Sequence, residues 1–312
     1  MMPQTESATA TPLSVAGAPA GARGARALLE AMRPRQWAKN AFVFAGVMFG
    51  GKLREPQALL QAGLAFAAFC LASSAVYLAN DTADRDADAH HPQKRLRPIA
   101  SGRLPVALAV PAAVLLAGGG LALSLYLHPG TGALVAVYLL LSVAYSAGLK
   151  RVFLLDTLMV AVGFVLRAAV GAAAVDTAIS PWLLCCTFLL AFFLVLGKRR
   201  QELRLLGADA ERHRGSLSRY TAPLVDGWLS SLSGAAIVAY ALYTQSARTV
   251  ENFKTTDLVY TVPFVVYALF RYQALVVTEE LGGDPTTAVL RDRGIMAAVL
   301  GWAAAVALII YR

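Results

Sequence analysis

Apolar residues in this chain are gathered into runs such as LAFAAFCLASSAVYLA, separated by short polar connections. A helix needs about 20 residues to cross a hydrocarbon core, and runs of this length satisfy that need. The pattern predicts spans over residues 38–51, 57–79, 105–127, 131–148, 152–174, 181–197, 221–247, 257–278 and 294–311, nine in all, the first of them short. With 57% hydrophobic and 15% charged residues, the chain is expected to be all-α and polytopic, its backbone satisfied within helices. No polar segment approaches the length of an ordinary domain, so residues 28–312 are expected to form a single transmembrane domain. Residues 1–27, rich in Ala, Gly, Pro and Thr, lack an early basic region and an apolar core; a disordered tail is expected there, not a signal peptide.

Charge adds sidedness. Arg23, Arg26, Arg33, Arg35 and Lys39 precede the first span, and Arg85, Lys94, Arg95, Arg97 and Arg103 follow the second. Further cations cluster after the fourth, sixth and eighth spans, whereas the opposite connections hold only Lys52, Arg54, Arg248 and Lys254. The positive-inside rule therefore predicts a cytoplasmic N-terminus. The net charge of +9 faces anionic headgroups and metabolites, so nucleic acid need not be invoked. Cys70, Cys185 and Cys186 fall inside predicted spans without metal-ligand spacing and read as packing residues.

The chemistry concentrates where the second run ends, in NDTADRDAD, Asn80 through Asp88. If the helix continues, Asn80, Asp81, Asp84 and Asp88 follow i, i+1, i+4, i+8 spacing, with Tyr77 one turn earlier. An amide and three carboxylates on one face repel unless a cation sits among them, and oxygen ligands suit Mg²⁺ that keeps positions for substrate phosphates. A solvated acidic helix end neutralised by the next loop is the plainer alternative. Emergence from a membrane span, where polar groups are costly, favours a functional site. The following HHPQKRLRPIASGRLP holds Lys94, Arg95 and Arg97 between Pro92, Pro98 and Pro105, a stiffened basic loop fit for diphosphate or for headgroups.

The pattern NDxxDxxxD at a helix end, followed by KRxRPIASG, resembles the first Asp-rich motif of the UbiA-type intramembrane prenyltransferase superfamily. The likeness runs from about Met32 to the end and includes RPRQWAKN, AYSAGLKRVFLLD and RDR. It implies nine helices around a central cavity open to lipid, a cytoplasmic mouth, and Mg²⁺ with a substrate diphosphate at the motif. The family's second motif, DxxxD after the sixth helix, is replaced here by GKRRQELRLLGADAERHR, with Lys198 and Glu202 at the aspartate spacing and Asp209 too far along to restore it. Exchanging carboxylate for ammonium weakens a second metal site and creates an anion site.

That variant resembles the decaprenyl-phosphate phosphoribosyltransferase branch of the family. The resemblance implies a polyprenyl phosphate acceptor, 5-phosphoribosyl-1-diphosphate as donor, Mg²⁺, a bacterial-type plasma membrane, and a product that feeds arabinose-donor and cell-envelope glycan synthesis. It also implies Asn80 and Asp84 as metal ligands, Asp81 and Asp88 beside Asp84 in catalysis, and Tyr77, Lys94, Arg95 and Arg97 on the donor. Lys39, in RPRQWAKN, would contact donor phosphate. Its neighbour Asn40 faces into a span, and Trp37 reads as an interfacial anchor. Lys150 is expected on phosphate, with Tyr145 in the same connection, and Asp156 on ribose hydroxyls or a cation. Arg167, deep in its span, is expected to meet a lipid phosphate or an internal acid. Lys198, Arg199 and Glu202 complete the expected substrate site, and a homo-oligomer is neither required nor excluded.

Two other functions stay open at this point. A prenyltransferase of the same fold would move a prenyl group from prenyl diphosphate to an aromatic acceptor and would want the second metal site. A transporter would place ionisable groups near mid-membrane in inverted repeats, whereas here they gather at one mouth.

Overall fold

The computed structural model describes residues 20–178, 180–206, 217–278 and 291–312; among them the regular structure is entirely helical. Helix α1 is Ala20–Ala31, followed by a 3-10 helix at Pro34–Phe44 that leads into the short α2, Ala45–Phe49. The long α3 is Pro56–Ala83, and α4 is Arg85–Ala89. Then come α5, Val106–Leu127, α6, Pro129–Ala147, α7, Leu155–Ala174, and α8, Pro181–Leu206. Helices α9, Ala222–Gln245, α10, Ala247–Phe253, α11, Val262–Val277, and α12, Arg293–Tyr311, complete the chain. Proline opens α3, α6 and α8 and lies in the first turn of α9 and α11, where its missing N–H costs no helical hydrogen bond.

Eight helices among the described residues are long and apolar enough to cross a membrane, against the nine spans expected. The difference lies at the first. Residues 38–51 do not form one α-helix; 11 residues of 3-10 helix precede five of α-helix. A 3-10 helix rises about 2.0 Å per residue and an α-helix about 1.5 Å, so this segment still reaches on the order of 30 Å. The expected tail also departs from its boundary, because α1 starts at Ala20; residues 1–19 lie outside the described residues. Strong helix formers build α1, and burial of Ala27 and Ala31 against Leu78, Ile99 and Leu104 anchors it over the end of α3.

The apolar windows of α3 and α7 are 56% and 61% buried, against 11% for α5 and 17% for α12, so α3 and α7 are the central pair. Val43, Phe69, Val135, Tyr138, Leu166 and Val170 knit the 3-10 helix to α3, α6 and α7. Phe193, Leu196, Leu229, Leu269 and Tyr272 do the same for α8, α9 and α11. Small residues permit backbone contact between α7 and the segment formed by the 3-10 helix and α2. A methyl group on Gly171 of α7 would collide with the Val43 carbonyl, and one on Gly46 of α2 with the Gly171–Ala172 peptide. Leu115, Tyr126, Leu140 and Leu308 point outward, as a lipid-facing belt requires.

Candidate active site at the end of α3

The second apolar run continues as helix into the acidic stretch, as expected, but only to Ala83. Asp84 is its C-cap (φ −94°, ψ 9°) and α4 restarts at Arg85, so the four polar positions do not share one face. Asn80 and Asp84 turn toward α6 and the connection after it. The Ser146 hydroxyl donates to Asn80 Oδ1, and Lys150 Nζ donates to both Asp84 oxygens at 2.7 and 3.0 Å. Asp81 and Asp88, each 3% exposed, turn the other way. Arg33 Nη2 donates to both Asp81 oxygens at 2.6 and 2.8 Å, and Arg97 Nη1 bridges Asp81 at 3.0 Å and Asp88 at 2.5 Å. Lys94 Nζ stands 4.0 Å from Asp88, and burial lowers its pKa against the opposing pull of that carboxylate.

A second polar cluster faces the first from α7 and α8. Asp156, fully buried, accepts a 2.7 Å hydrogen bond from the Tyr220 hydroxyl, and Arg199 Nε lies 3.1 Å from its other oxygen. Arg199 also pairs with Glu202, and Lys198 Nζ is 4.0 Å from the same residue. Two cations thus meet two carboxylates where the family's second Asp-rich motif lies. Burial pushes the Tyr220 phenol up to about 12, which keeps it a proton donor to Asp156. Arg200, next along α8, pairs with Asp226 at 2.9 Å and not with headgroups alone. Asp209 lies outside the described residues.

Arg167 departs from expectation, meeting neither an acid nor an open phosphate site. It is 6% exposed and donates to Asn40 Oδ1 at 2.8 Å and to the Gly163 carbonyl at 2.7 Å. The rings of Phe69, Tyr138 and Phe164 surround its guanidinium at 4.8, 5.2 and 5.1 Å, a cage that compensates a desolvated cation. Asn40 in turn donates to Ser73 Oγ at 3.2 Å, so Arg167 fastens the 3-10 helix to the bundle. Of the remaining expected residues, Tyr77 lies under the Arg33 guanidinium at 4.9 Å, Lys39 and Tyr145 are half-buried, and Arg95 is exposed. Arg271 of α11 and Asp292, the N-cap of α12, form an interhelical ion pair at 2.9 Å.

Below the polar clusters a cavity of about 590 Å³, almost wholly apolar, lies between α2, α8, α9, α11 and α12; Met48, Leu190, Phe264 and Trp302 are among its walls. Leu190 and Lys198 are eight residues apart on α8, about 12 Å of rise, so the cavity begins one short step from the charged mouth.

The donor set fits a divalent cation of the Mg²⁺ type. Asn80 and Asp84 offer hard oxygen ligands one turn apart, and the Asp84 side chain is 41% exposed, which leaves room for waters or phosphate oxygens. Among the described residues no three His, Cys, Asp or Glu side chains group as a protein-only metal cage. That suits Mg²⁺, which is commonly held by one or two side chains plus substrate phosphates. Sequence reasoning missed Arg33, Ser146 and Tyr220 as site residues. Arg33 and Ser146 sit within motifs already quoted, whereas Tyr220 has no local signal.

Fold and site together define a multi-pass membrane transferase with an acidic and basic mouth over an apolar cavity. The chain belongs to the UbiA prenyltransferase family, whose model matches residues 40–291. Decaprenyl-phosphate phosphoribosyltransferase of Mycolicibacterium smegmatis is 34% identical over 295 residues, covering 91% of this chain and 92% of that protein. The protein of that name from Mycobacterium tuberculosis H37Rv is 35% identical over 283 residues, covering 89% and 92%. A UbiA homolog from Archaeoglobus fulgidus, solved with GPP and Mg²⁺, superposes with a TM-score of 0.71 at 16% identity, over 92% of this chain and all of that one; this likeness bears on the fold alone.

Proposed function

We propose that this chain transfers 5-phosphoribose from 5-phosphoribosyl-1-diphosphate to a polyprenyl phosphate, releasing diphosphate. The observation that carries the reading is Arg199, held between Asp156 and Glu202 where a second metal would otherwise be needed. One diphosphate calls for one metal, while the ribose phosphate and the lipid phosphate call for cations. The relatives named for this reaction support the choice of donor and acceptor.

Bound at Asn80 and Asp84, Mg²⁺ would supply Lewis-acid polarisation of the donor diphosphate. Ser146 orients the Asn80 amide while leaving its oxygen a second lone pair. Lys150, Lys94 and Arg95 stabilise charge on the departing diphosphate, and Lys198 attracts the lipid phosphate. As the anomeric C–O bond breaks, the carbon takes on oxocarbenium character and a lipid phosphate oxygen forms the new bond. A phosphate monoester is already ionised at neutral pH, so no general base is required. The apolar cavity receives the first isoprene units, and the remaining chain runs out into lipid. The uneven spread of Lys and Arg supports a cytoplasmic mouth, and we extend the proposal to a plasma-membrane location and a product that feeds cell-envelope glycan synthesis.

The test is a membrane assay with labelled 5-phosphoribosyl-1-diphosphate, polyprenyl phosphate and Mg²⁺, beside Asp84→Ala and beside prenyl diphosphate with 4-hydroxybenzoate. Metal-dependent ribose phosphate transfer into the lipid phase, lost in the variant, is the expected result. Prenylation of the aromatic acid without ribose transfer contradicts the proposal.

A further inference from the structure

Asp81 is adjacent in the chain to Asn80 and three residues from Asp84, yet it is withdrawn from their face. Helix geometry turns it about 100° from Asn80, and Arg33, 48 positions earlier, holds it there by reaching both Asp81 oxygens, at 2.6 and 2.8 Å. Arg33 is itself held on three sides. Its guanidinium rests on the Tyr77 ring at 4.9 Å, and its backbone takes a left-handed conformation (φ 55°, ψ 62°) that a non-glycine residue adopts at a cost. The chain on either side of it is pinned to the same strip of α3. Ser74 Oγ donates to the Met32 carbonyl at 3.2 Å, Trp37 Nε1 donates to Ser74 Oγ at 3.1 Å, and Asn40 reaches Ser73. Ser73, Tyr77 and Asp81 follow four-residue spacing, one face of α3 that meets the 3-10 helix along its length.

The charges then divide in a definite way. Arg33 and Arg97 pair with Asp81 and Asp88, and Lys94 stands 4.0 Å from Asp88, so both carboxylates are matched by cations. The face toward α6 is left with one carboxylate, Asp84, and one neutral amide, Asn80. Lys150 pairs with Asp84 there, and a second carboxylate turned toward this face would strengthen the pull on a divalent cation but repel the diphosphate the cation must share.

We infer that Arg33 is a positioning residue for the metal–diphosphate site: acting on Asp81, while Arg97 holds Asp88, it keeps Asp84 the one carboxylate of this helix end that the cation meets. This rests on the reading of Asn80 and Asp84 as the metal-facing pair. Arg33 touches neither substrate nor cation. It sets the local field and the place of the helix end.

The experiment is Mn²⁺ binding to the purified full-length protein, followed by electron paramagnetic resonance with and without inorganic diphosphate. The variants are Arg33→Gln, Arg33→Lys, Asp81→Asn, Arg33→Gln/Asp81→Asn and Asp84→Asn. Arg33→Gln leaves Asp81 only the Arg97 contact, and the cation lost beside it is expected to tighten Mn²⁺ binding without diphosphate on the order of fivefold, an increase that shrinks with added salt. The same variant should lose the further tightening that diphosphate gives. Both effects should disappear in the charge-balanced double variant, and Arg33→Lys should stay close to wild type in the field effect. A merely structural Arg33 would weaken Mn²⁺ binding in Arg33→Gln with no rescue by Asp81→Asn, and that result overturns the inference. Loss of Mn²⁺ binding in Asp81→Asn alone also overturns it, because Asp81 would then be a ligand. Asp84→Asn separates the underlying reading: unchanged Mn²⁺ binding there would remove the metal-facing pair itself, and the inference with it.

Discussion

Arg199 of α8 and Asp156 of α7 are in contact inside the bundle, with Nε 3.1 Å from Oδ2 and both side chains at most 4% exposed. The Arg199 Nε has no well-aligned hydrogen bond, so this contact is chiefly electrostatic. A guanidinium therefore stands as a permanent cation in the cluster that faces the Asn80–Asp84 pair. Removing it leaves Asp156 a buried, uncompensated charge. Arg199→Met is expected to destabilise the protein by roughly 3–5 kcal/mol, with much of the loss recovered by pairing it with Asp156→Asn. Thermal unfolding of the purified variants in detergent measures both, and equal losses in the single and double variants would refute the pairing.

In the proposed function Asp84 and Asn80 take the metal-facing role, and on that proposal Asp84→Ala should lower turnover by about 100-fold or more. Ser146 acts one shell further out, through its hydrogen bond to Asn80. Ser146→Ala should weaken metal affinity by about 10–100-fold while saturating metal restores most of the rate. A metal titration of the steady-state rate distinguishes the two variants.

Lys94 lies in the loop outside the spans, and burial lowers its pKa from the ordinary 10.5. A lowered lysine pKa means that the positive charge is lost earlier than usual as pH rises. The KM for the diphosphate donor should therefore climb on the alkaline side, below the pH at which a free lysine titrates. Lys94→Arg should abolish that limb without changing the acid side, since Arg stays charged throughout. A pH profile of KM against kcat checks it.

Gly171 is where α7 meets the 3-10 helix backbone to backbone. Gly171→Val would drive side-chain atoms into the Val43 carbonyl and should cost about 1–3 kcal/mol or force the segment outward. Displacing that segment moves Asn40 away from Arg167, so activity should fall together with thermal stability. Gly163→Ala is the milder comparison, since its added methyl would meet side-chain atoms and no backbone, Arg167 Nη1 at 3.3 Å and the Tyr138 ring at 3.8 Å.

The long apolar runs, the depth of Arg167 within its span, and the acidic stretch at the end of α3 were legible because each depends on local pattern. Hydropathy does not report helix type, however, and the first span's 3-10 geometry escaped it. The split of Asn80 and Asp84 from Asp81 and Asp88 was hidden for a similar reason. Spacing predicts a shared face only while the helix continues, and α3 stops at Asp84. Arg33 was read as a topological charge because its partner lies 48 residues away, and Tyr220 reaches Asp156 across 64. Contacts of that range are products of packing. Arg167 illustrates the converse: its depth was evident from sequence, but the aromatic cage that satisfies it comes from α3, α6 and α7 together.

The central claim is that one divalent cation serves this site because Arg199 fills the second position. Metal stoichiometry tests it most directly: Mn²⁺ bound per chain, counted at saturation in the presence of 5-phosphoribosyl-1-diphosphate and corrected for metal bound to free donor. One ion per chain, reduced to none in Asp84→Ala, is the predicted result. Two ions per chain, with the second unaffected by that substitution, would contradict the account.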